Sequence, residues 1–322
     1  MPRRAPLLAG LQQAAVAALL FVNLATLLTL LAERWWPFDV LANFAVQFAF
    51  IQLIGLASCI LWRAWRLGLL TLPILLINLV PIAGYYVGNQ AATAAPSGPT
   101  LRVMALNLWA RNDRIDLVEA AVRAESPDVI AFAEVTSAWR ERLAVLRASY
   151  PYWHQDDAHG WSDLLMVSRV PFRDAGVQPL GKRGKTALSA TICGQAAAPE
   201  RCIELLSAHL ERPEGGYFAG ARNEHLDAIA TLIAGHDPGN TVLVGDFNLT
   251  PWSPYFGRLL AMSGLRDSER GRGVSPTWLS RWLPLGLSID HILVGSAVTV
   301  QDRHVGADVG SDHLPVIADL TF

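Results

Sequence analysis

The stretch TVLVGDFNLTP, residues 241–251, decides how the rest of the chain can be arranged. Its first four residues are β-branched or apolar and predict a short buried strand that Gly245 ends. Asp246 and Asn248 follow, and side chains two positions apart in an extended segment point the same way. A carboxylate and a carboxamide therefore leave one strand end together, where they can act on water, a phosphate oxygen or a metal ion. A simple turn is the alternative, because Asp and Asn are common at strand ends.

Composition divides the chain near residue 88. Of the 322 residues, 52% are hydrophobic and 17% are charged, and the mean hydropathy is +0.29. This is too apolar for an ordinary soluble enzyme of this size, and the excess precedes residue 88. The remainder has a globular composition and suffices for one large domain with a sizeable core. The net charge of −2 gives no sign of a basic surface for nucleic acid, although a local basic groove is compatible with it.

Three uncharged runs precede the globular part, and each is long enough to cross a bilayer. They are residues 7–32, 40–62 and 67–87. Trp35 and Trp36 follow the first run, and Trp62 and Trp65 lie at the end of the second, as in an interfacial aromatic belt. Buried soluble helices are the alternative. A cleaved signal peptide is a further alternative for the first run, although that run is too long for an h-region.

Basic residues predict the orientation of these spans. Arg3 and Arg4 precede the first run, and Arg63 and Arg66 separate the second from the third. The positive-inside rule places both groups in the cytoplasm. We therefore expect a multi-pass membrane protein with a cytoplasmic N-terminus; in a bacterium this would be the inner (cytoplasmic) membrane. Its three-helix anchor covers residues 1–87, a small-residue linker covers 88–100, and a periplasmic or extracellular domain covers 101–322.

Two cysteines in the outer domain bear on the compartment. Cys193 and Cys202 end two strand-like runs that flank a hairpin loop, whereas Cys59 lies inside the second span. A disulfide closing this hairpin would suit an oxidising compartment. Two free thiols are the alternative.

Strand-like and helical runs alternate through residues 101–322 and predict an α/β or α+β layered sandwich. Predicted strands cover 101–108, 127–135, 163–168, 187–193, 202–209, 241–244, 289–294 and 314–320, and predicted helices cover 115–125, 138–148, 222–234 and 255–262. Polar side chains recur at the strand ends: Asn107, Glu134, His209, Asp246 with Asn248, Asp290 with His291, and Asp312 with His313. A cap or turn explains any one of these sites, but hardly all six.

These segments resemble the endonuclease/exonuclease/phosphatase superfamily of metal-dependent phosphoesterases. The motifs run in the family's order: LNLW 106–109, PDVIAFAEV 127–135, LLMVSRVPF 164–172, SAHL 207–210, VGDFN 244–248, PTW 276–278, SIDHIL 288–293 and GSDHLPV 310–316. The pair GDFN and SDH at this separation is highly specific. The resemblance implies a four-layer α/β sandwich, two packed sheets flanked by helices, with the site at the C-terminal edges of the sheets.

The resemblance also implies a role for each strand-end residue. Glu134 is the principal Mg²⁺ ligand, with Asn107 and Asp312 near or on the metal and Mn²⁺ as an alternative ion. Asp246 orients or deprotonates the attacking water, and Asn248 holds the phosphate and the water. His313 contacts the scissile phosphate, Asp290 fixes the tautomer of His313, and His209 is a second phosphate contact. Hard oxygen ligands suit Mg²⁺, which together with an imidazolium neutralises charge that builds up in the transition state.

Other polar residues receive weaker predictions. Arg183 and Lys185 have two alternative predictions: they contact a phosphate, or they lie on a hairpin that faces solvent. His291 faces away from Asp290, since strand neighbours point to opposite faces. No role is assigned to four residues of a predicted loop over the site: His154, Asp156, Asp157 and His159.

The anchor favours a bilayer substrate, because a tethered domain meets lipids at high effective concentration. Residues 277–287, TWLSRWLPLGL, form either a lipid-contacting loop or a loop that covers the core. The whole chain resembles a membrane-anchored bacterial branch of the superfamily that is associated with teicoplanin resistance. This implies hydrolysis of a lipid-linked phosphate or pyrophosphate such as undecaprenyl pyrophosphate. A nuclease acting on DNA or RNA and an inactive membrane scaffold are the alternatives, and no protein partner is inferred.

Overall fold

A computed structural model describes residues 4–88, 98–156, 163–181, 184–194, 200–279 and 285–322, with side chains from Ala9 onward. Four helices come first: α1 Arg4–Thr29, α2 Trp36–Ala42, α3 Ala45–Leu61 and α4 Trp65–Ala83. We call residues 4–88 the anchor and residues 98–322 the sandwich domain. Two helical segments, Ala9–Thr29 and Trp65–Ala83, are long and apolar enough to span a membrane, and α2 with α3 makes a third span if the bent pair counts as one.

The second predicted span is broken, which sequence periodicity did not reveal. Helices α2 and α3 meet at an angle of 65°. Asn43 follows α2, and its Nδ2 donates to the carbonyl of Asp39 at 2.9 Å, which ends the helix. The uncharged run at 40–62 therefore starts within α2, and α3 alone supplies its long straight part.

The anchor exposes apolar side chains and buries polar ones. Phe21, Leu61 and Leu69 are 66%, 76% and 73% exposed, respectively. Such a surface is unusual in a soluble protein and is normal for one in contact with lipid. The apolar outer face agrees with membrane association of these helices.

A buried hydrogen-bond network joins the three long helices. Asn23 Nδ2 donates to Thr71 Oγ1 at 2.8 Å, and Gln52 Nε2 donates to Asn23 Oδ1 at 3.0 Å. Asn78 Nδ2 donates to Gln52 Oε1 at 2.9 Å and to Thr26 Oγ1 at 3.0 Å. Polar side chains inside a membrane bundle are stable when they find such partners. The amides of Asn23, Gln52 and Asn78 therefore hold the three helices together.

The sandwich domain contains twelve strands and four α-helices among its described residues. The first half is β1 Thr100–Asn107, α5 Ile115–Glu125, β2 Val129–Ala133, α6 Ser137–Leu143 with a 3₁₀ turn Ala144–Ala148, β3 Tyr152–Gln155, β4 Leu164–Ser168, β5 Arg173–Pro179 and β6 Thr186–Cys193. The second half is β7 Cys202–His209, α7 Gly216–Ala234, a 3₁₀ turn Pro238–Asn240, β8 Thr241–Asp246, α8 Pro254–Ser263, β9 Arg266–Asp267, β10 Asp290–Val294, β11 Thr299–Val305 and β12 Val316–Thr321. One sheet has the order β11-β12-β1-β2-β4-β3 and the other β5-β6-β7-β8-β10-β9.

These elements form four layers, as the family resemblance predicted. Val103 and Ala105 of β1 face the second sheet, whereas Met104 and Leu106 pack against α5 and α6. In the second sheet Val244 faces inward and Leu243 packs against α7 and α8. Because both faces of the central strands are buried, their sequences are continuous apolar runs rather than alternating ones.

Some element boundaries differ from those predicted. The helix predicted at 138–148 is α6 followed by a 3₁₀ turn, and α7 begins at Gly216 rather than at 222. Cys193 and Cys202 are directly opposite each other on β6 and β7 and form a disulfide, which confirms the predicted bridge.

The anchor contacts the sandwich domain directly. Asp39 and Arg222 form a buried ion pair at 2.5 Å, and Tyr85 Oη donates to Asp267 Oδ2 at 2.9 Å. Residues 89–97 of the predicted linker lie outside the described part of the chain. These contacts hold the sandwich domain against α2 and against the segment that follows α4.

Candidate active site

Strand pairing brings the predicted residues to one edge of the sandwich. Parallel strands β7 and β8 place His209 beside Asp246, and antiparallel β10 places Asp290 beside Asp246. In the other sheet, Asn107 ends β1 beside Ala133 of β2, so Glu134 is the next residue beyond that edge.

A contact chain crosses from one sheet to the other. Asn107 Nδ2 lies 3.1 Å from Glu134 Oε1 and 3.0 Å from Asp246 Oδ2. Asp246 Oδ2 lies 3.7 Å from His313 Nε2 and 3.8 Å from His209 Nε2. Residues separated by two hundred positions thus surround one polar pocket, and Glu134 and His313 lie on the same side of the domain.

His313 is held by a buried carboxylate. Its Nδ1 is 2.8 Å from Asp290 Oδ2, and that oxygen also accepts a hydrogen bond from Thr277 Oγ1 at 2.6 Å. Burial alone would lower the pKa of His313, but the charges of Asp290 and Asp246 outweigh it and raise that pKa to about 9. The ring is therefore a cation at neutral pH. Thr277 lies in the PTW motif, but the sequence analysis gave it no role.

His209 has a similar support that the sequence did not reveal. Its Nδ1 lies 2.6 Å from Asp163 Oδ2, and Lys185 Nζ lies 2.9 Å from the same oxygen. Burial acts to lower the pKa of His209, but the Asp163 charge raises it. Burial acts to raise the pKa of Asp163, but His209 and Lys185 hold it well below its usual range. Lys185 therefore neutralises Asp163, and Arg183 lies outside the described residues.

The turn after β8 is shaped by close packing. A Cβ on Gly245 would lie 1.9 Å from the carbonyl oxygen of Ala208, and φ at Gly245 is +135°, so only glycine fits. Asn248 has a φ of +52°, its amide donates to Asp246 Oδ1 at 2.9 Å, and its Nδ2 donates to the carbonyl of Leu210 at 2.9 Å. Burial raises the pKa of Asp246, and the nearby charge of Asp290 raises it further.

Glu134 occupies the other side of the pocket. It has a φ of +56°, and its Oε2 accepts a hydrogen bond from the amide of Ala110 at 2.8 Å. Burial would raise the pKa of Glu134, but the Ala110 and Asn107 donors keep it below its usual value. Arg212, whose side chain is 54% exposed, lies 3.7 Å from Glu134 Oε1. Arg212 was missed because a lone arginine after a strand carries no pattern.

The donor set fits a hard divalent ion. Asp312 Oδ2 accepts from Trp278 Nε1 at 3.1 Å, whereas its Oδ1 is inaccessible and has no hydrogen-bond partner. Glu134 adds an ionised carboxylate, and such oxygens are the ligands that Mg²⁺ and Mn²⁺ prefer. Asn107 turns its NH₂ toward two carboxylates while its Oδ1 accepts from the Trp109 amide at 2.9 Å. In this orientation Asn107 positions the carboxylates.

A second combination of ligand atoms is available within the same pocket. Asp246, Asp290 and His313 offer atoms that lie within 4.8 Å of one another. Within this group Asp290 Oδ2 also lies against His313 Nδ1 and accepts from Thr277 Oγ1. Glu134 and Asp312 remain the metal ligands that the family resemblance predicts, and Asp246, Asp290 and His313 are the group whose ligand atoms the structure brings together.

The remaining polar residues lie outside this pocket. His291 faces the other side of β10, as predicted: its Nε2 lies 2.9 Å from the Leu249 carbonyl oxygen, and its ring packs against Phe256. His154 is on strand β3 rather than in a loop, and Asp156 is buried and accepts from Thr186. Asp157 and His159 are not among the described residues.

Comparison with known proteins agrees with this arrangement. The family model for the Endonuclease/Exonuclease/phosphatase family matches residues 104–313. TDP2 of D. rerio, humanized by 14 mutations, is 19% identical over 69% of this chain and 99% of its own, with a TM-score of 0.56. NExo, a 3′ phosphatase from Neisseria bound to a product DNA hairpin, is 19% identical over 69% and 100%, with a TM-score of 0.54.

A third similar structure is a beta toxin from Staphylococcus aureus, 18% identical over 68% of this chain and 99% of that one, with a TM-score of 0.53. No curated protein sequence matches. The structural likenesses show the fold, and the family match covers well over half of the chain. The chain therefore belongs to the Endonuclease/Exonuclease/phosphatase family, whose members are metal-dependent phosphoesterases.

Proposed function

We propose that this phosphoesterase is a Mg²⁺-dependent phosphohydrolase on the outer face of the bacterial cytoplasmic membrane. Its substrate is a lipid-linked phosphate or pyrophosphate such as undecaprenyl pyrophosphate. The observation that carries the proposal is the attachment of the pocket rim to the membrane helices on two sides. A nuclease domain on a flexible tether would not need the rim of its pocket to be held against membrane helices.

The first attachment follows β7. Arg212 lies beside Glu134, and four residues later Gly216 packs against the indole of Trp36, where an added Cβ would lie 3.2 Å from Trp36 Cδ1. Tyr217 and Phe218 are exposed at the start of α7. Aromatic side chains near the end of a membrane helix favour the height of the lipid headgroups.

The second attachment is the 277–287 loop, for which the sequence left lipid contact and core covering as alternatives. Trp278 donates to Asp312 at the pocket, and at the other end of the loop the Gly286 carbonyl accepts from Gln47 Nε2 of α3 at 3.0 Å. Leu285 is 53% exposed next to this contact. Residues 280–284 lie outside the described part of the chain. The described ends of the loop therefore connect the pocket to a membrane helix.

The geometry supports specific roles for the pocket residues. Glu134 and Asp312, with Asn107 beside them, would hold Mg²⁺, which when bound supplies an electrophile for phosphate oxygens. Asp246 accepts the proton of the attacking water. Asn248 and His209 hold phosphate oxygens. The His313 imidazolium faces the charge that grows on the phosphate, and Asp290 keeps that ring charged and oriented.

Two observations support the outer location. Arg3, Arg4, Arg63 and Arg66 favour the cytoplasmic side, which puts the sandwich domain on the opposite side after three spans. The Cys193–Cys202 disulfide suits an oxidising compartment.

The test uses the purified full-length protein in detergent micelles with Mg²⁺. We expect release of inorganic phosphate from undecaprenyl pyrophosphate, with at least a hundredfold loss in Glu134→Ala. Glu119→Ala, on the exposed face of α5, is the matched control and should retain full activity. Turnover of plasmid DNA with none of the lipid would reject the lipid proposal in favour of a nuclease.

A nuclease is the second candidate function. TDP2 and NExo share the fold, and structures of both have been solved with a DNA product bound. Nucleic-acid binding rests on phosphate contacts, so a nuclease would lose activity steeply as salt rises. An inactive scaffold is disfavoured by the complete set of polar residues in the pocket. Absence of metal-dependent hydrolysis of any phosphoester, a chromogenic one included, would revive it.

A further inference from the structure

A chain of buried side chains connects helix α2 of the anchor to the pocket. Asp39 Oδ2 is 2.5 Å from an Arg222 terminal nitrogen, and both side chains are at most 1% exposed. The other terminal nitrogen of Arg222 donates to the carbonyl of Asn248 at 3.3 Å. Only one side chain therefore separates a residue located between two membrane helices from a residue of the pocket.

Two further contacts tie the anchor to the segment after Asn248. Asn43 Oδ1 accepts from the amide of Thr250 at 2.6 Å and from its hydroxyl at 3.0 Å. Asp39 Oδ1 accepts from Ser253 Oγ at 2.6 Å. The segment 248–253 is thus held at three points by Asp39, Asn43 and Arg222.

This segment needs external support. Asn248 has a φ of +52°, a conformation that costs free energy in a non-glycine residue and persists where the surroundings impose it. Its amide donates to Asp246 Oδ1, so a change in this backbone also moves the Asp246 carboxylate contact. Removing the Asp39 charge would leave the buried Arg222 cation without a counter-ion, which is strongly unfavourable. Arg222 would then keep only its bonds to Asn223 Oδ1 and to the Asn248 carbonyl, and we expect its hold on that carbonyl to weaken.

We propose that Asp39 is a positioning residue for the pocket and that the anchor is a structural component of the active site. Asp39 acts through Arg222, and Asn43 acts alongside it, to hold Asn248 and Asp246 in place. The proposal relies on the role of Asn248 in the proposed function, but it does not depend on which phosphoester is the natural substrate.

The experiment compares full-length variants in detergent micelles with a soluble chromogenic phosphodiester and Mg²⁺. Asp39→Asn keeps the shape of the side chain and removes its charge. We expect its kcat to fall at least tenfold while KM changes less than twofold. The matched control is Tyr85→Phe, which keeps the ring packed against Trp252 and removes only the hydroxyl bond to Asp267, another buried contact between the anchor and the sandwich domain. Its kcat should stay within twofold of wild type.

A readout independent of activity is hydrogen exchange followed by mass spectrometry. Asp39→Asn should speed exchange in peptides covering 246–255 and leave those of β1 unchanged, whereas Tyr85→Phe should leave both unchanged. If Asp39→Asn does not fold, Asn43→Ala removes a milder contact to the same segment and should give the same local increase. This measurement tests the proposal even if the wild-type protein proves inactive on every lipid.

A double variant tests whether Asp39 acts through Arg222. The kcat of Asp39→Asn with Arg222→Gln should be no lower than that of Arg222→Gln alone, because the two changes break one chain of contacts. Additive losses, equal losses in Asp39→Asn and Tyr85→Phe, or unchanged exchange at 246–255 would each overturn the proposal.

Discussion

His313 Nδ1 lies 2.8 Å from Asp290 Oδ2, and both side chains are almost completely buried. The carboxylate offsets the cost of burying a cation, and the pKa of His313 rises to about 9. The opposite end of the ring, Nε2, points to Asp246 at the centre of the pocket. A fixed positive charge is therefore available where a phosphate would bind, and its persistence depends on Asp290.

Replacing Asp290 should change how activity depends on pH. If His313 must be protonated, the alkaline limb of kcat/KM in the wild type reflects its pKa of about 9. In Asp290→Asn the pKa of His313 falls, so the alkaline limb of the kcat/KM profile should shift at least one pH unit lower. The pH–rate profile on a chromogenic phosphoester measures the shift. Asp302→Asn, which alters an exposed Asp–His pair with His304, is the control and should leave the limb in place.

The same ion pair predicts how stability changes with pH in the metal-free protein. The folded pKa of His313, about 9, exceeds the usual value of 6.5, so its stabilising contribution is complete below pH 6.5 and is lost as pH rises through 9. The unfolding midpoint in chemical denaturant should therefore fall between pH 6.5 and 9. Asp290→Asn should flatten this decline, and an equally steep decline in that variant would contradict the assignment.

Asp312 should contribute to metal affinity through its unpartnered oxygen. We expect Asp312→Asn to weaken Mn²⁺ binding roughly 10- to 100-fold, the range typical when a contact that supports a metal site is lost. Calorimetric titration of the metal-free protein measures this without any activity. Asp116→Asn, an exposed carboxylate beside Arg114, should bind Mn²⁺ like the wild type. Unchanged affinity in Asp312→Asn would remove Asp312 from the metal side of the pocket.

The disulfide should stabilise the sandwich domain. Cys193 and Cys202 are separated by nine positions, and closing a loop of that size is worth about 2–3 kcal/mol in the unfolded-chain model. In the variant with serine at both positions, the free energy of unfolding measured in denaturant should be lower by this amount. Reductant should lower the free energy of unfolding of the wild type by a similar amount and leave that of the double variant unchanged. A wild type indifferent to reductant would show that the bridge contributes little.

Asn78 should stabilise the anchor. Asn78→Leu removes the hydrogen bonds of Asn78 to Thr26 and Gln52. It should lower the free energy of unfolding, measured in mixed micelles, by about 1–2 kcal/mol. Leu76→Ala, at a half-exposed position on the same helix, should cost less than half as much. If the two variants unfold alike, the network does not hold the helices together.

The central part of the fold was predictable from sequence because its strands are buried on both faces. The four strands that the sequence did not predict, β3, β5, β9 and β11, are the four edge strands of the two sheets. Edge strands have exposed positions, as in β5, where Arg173 and Asp174 face solvent, so they lack the apolar run that marks a central strand.

The pocket residues were predictable where they follow apolar strands in family motifs. Their supports were not: Asp163 and Arg212 are single polar residues whose partners lie far away in the chain, and Thr277 lies in the PTW motif without a pattern that pairs it with Asp290. Asp39 carries no sequence pattern, and only the packing of α2 on α7 pairs it with Arg222. Sequence patterns report burial and periodicity, whereas these contacts depend on how separate layers meet.

On the proposed membrane location, the amide network of the anchor has a consequence for how the helices insert. Gln52 and Asn78 lie on consecutive helices and bond to each other, so a helix inserted alone would present an unpaired carboxamide to the acyl chains. Helices α3 and α4 are therefore expected to leave the translocon as one hairpin around Arg63 and Arg66. Helices α3 and α4 would therefore pair before they are released into the lipid. A substitution at Gln52 or Asn78 would then first reduce the amount of protein that inserts correctly.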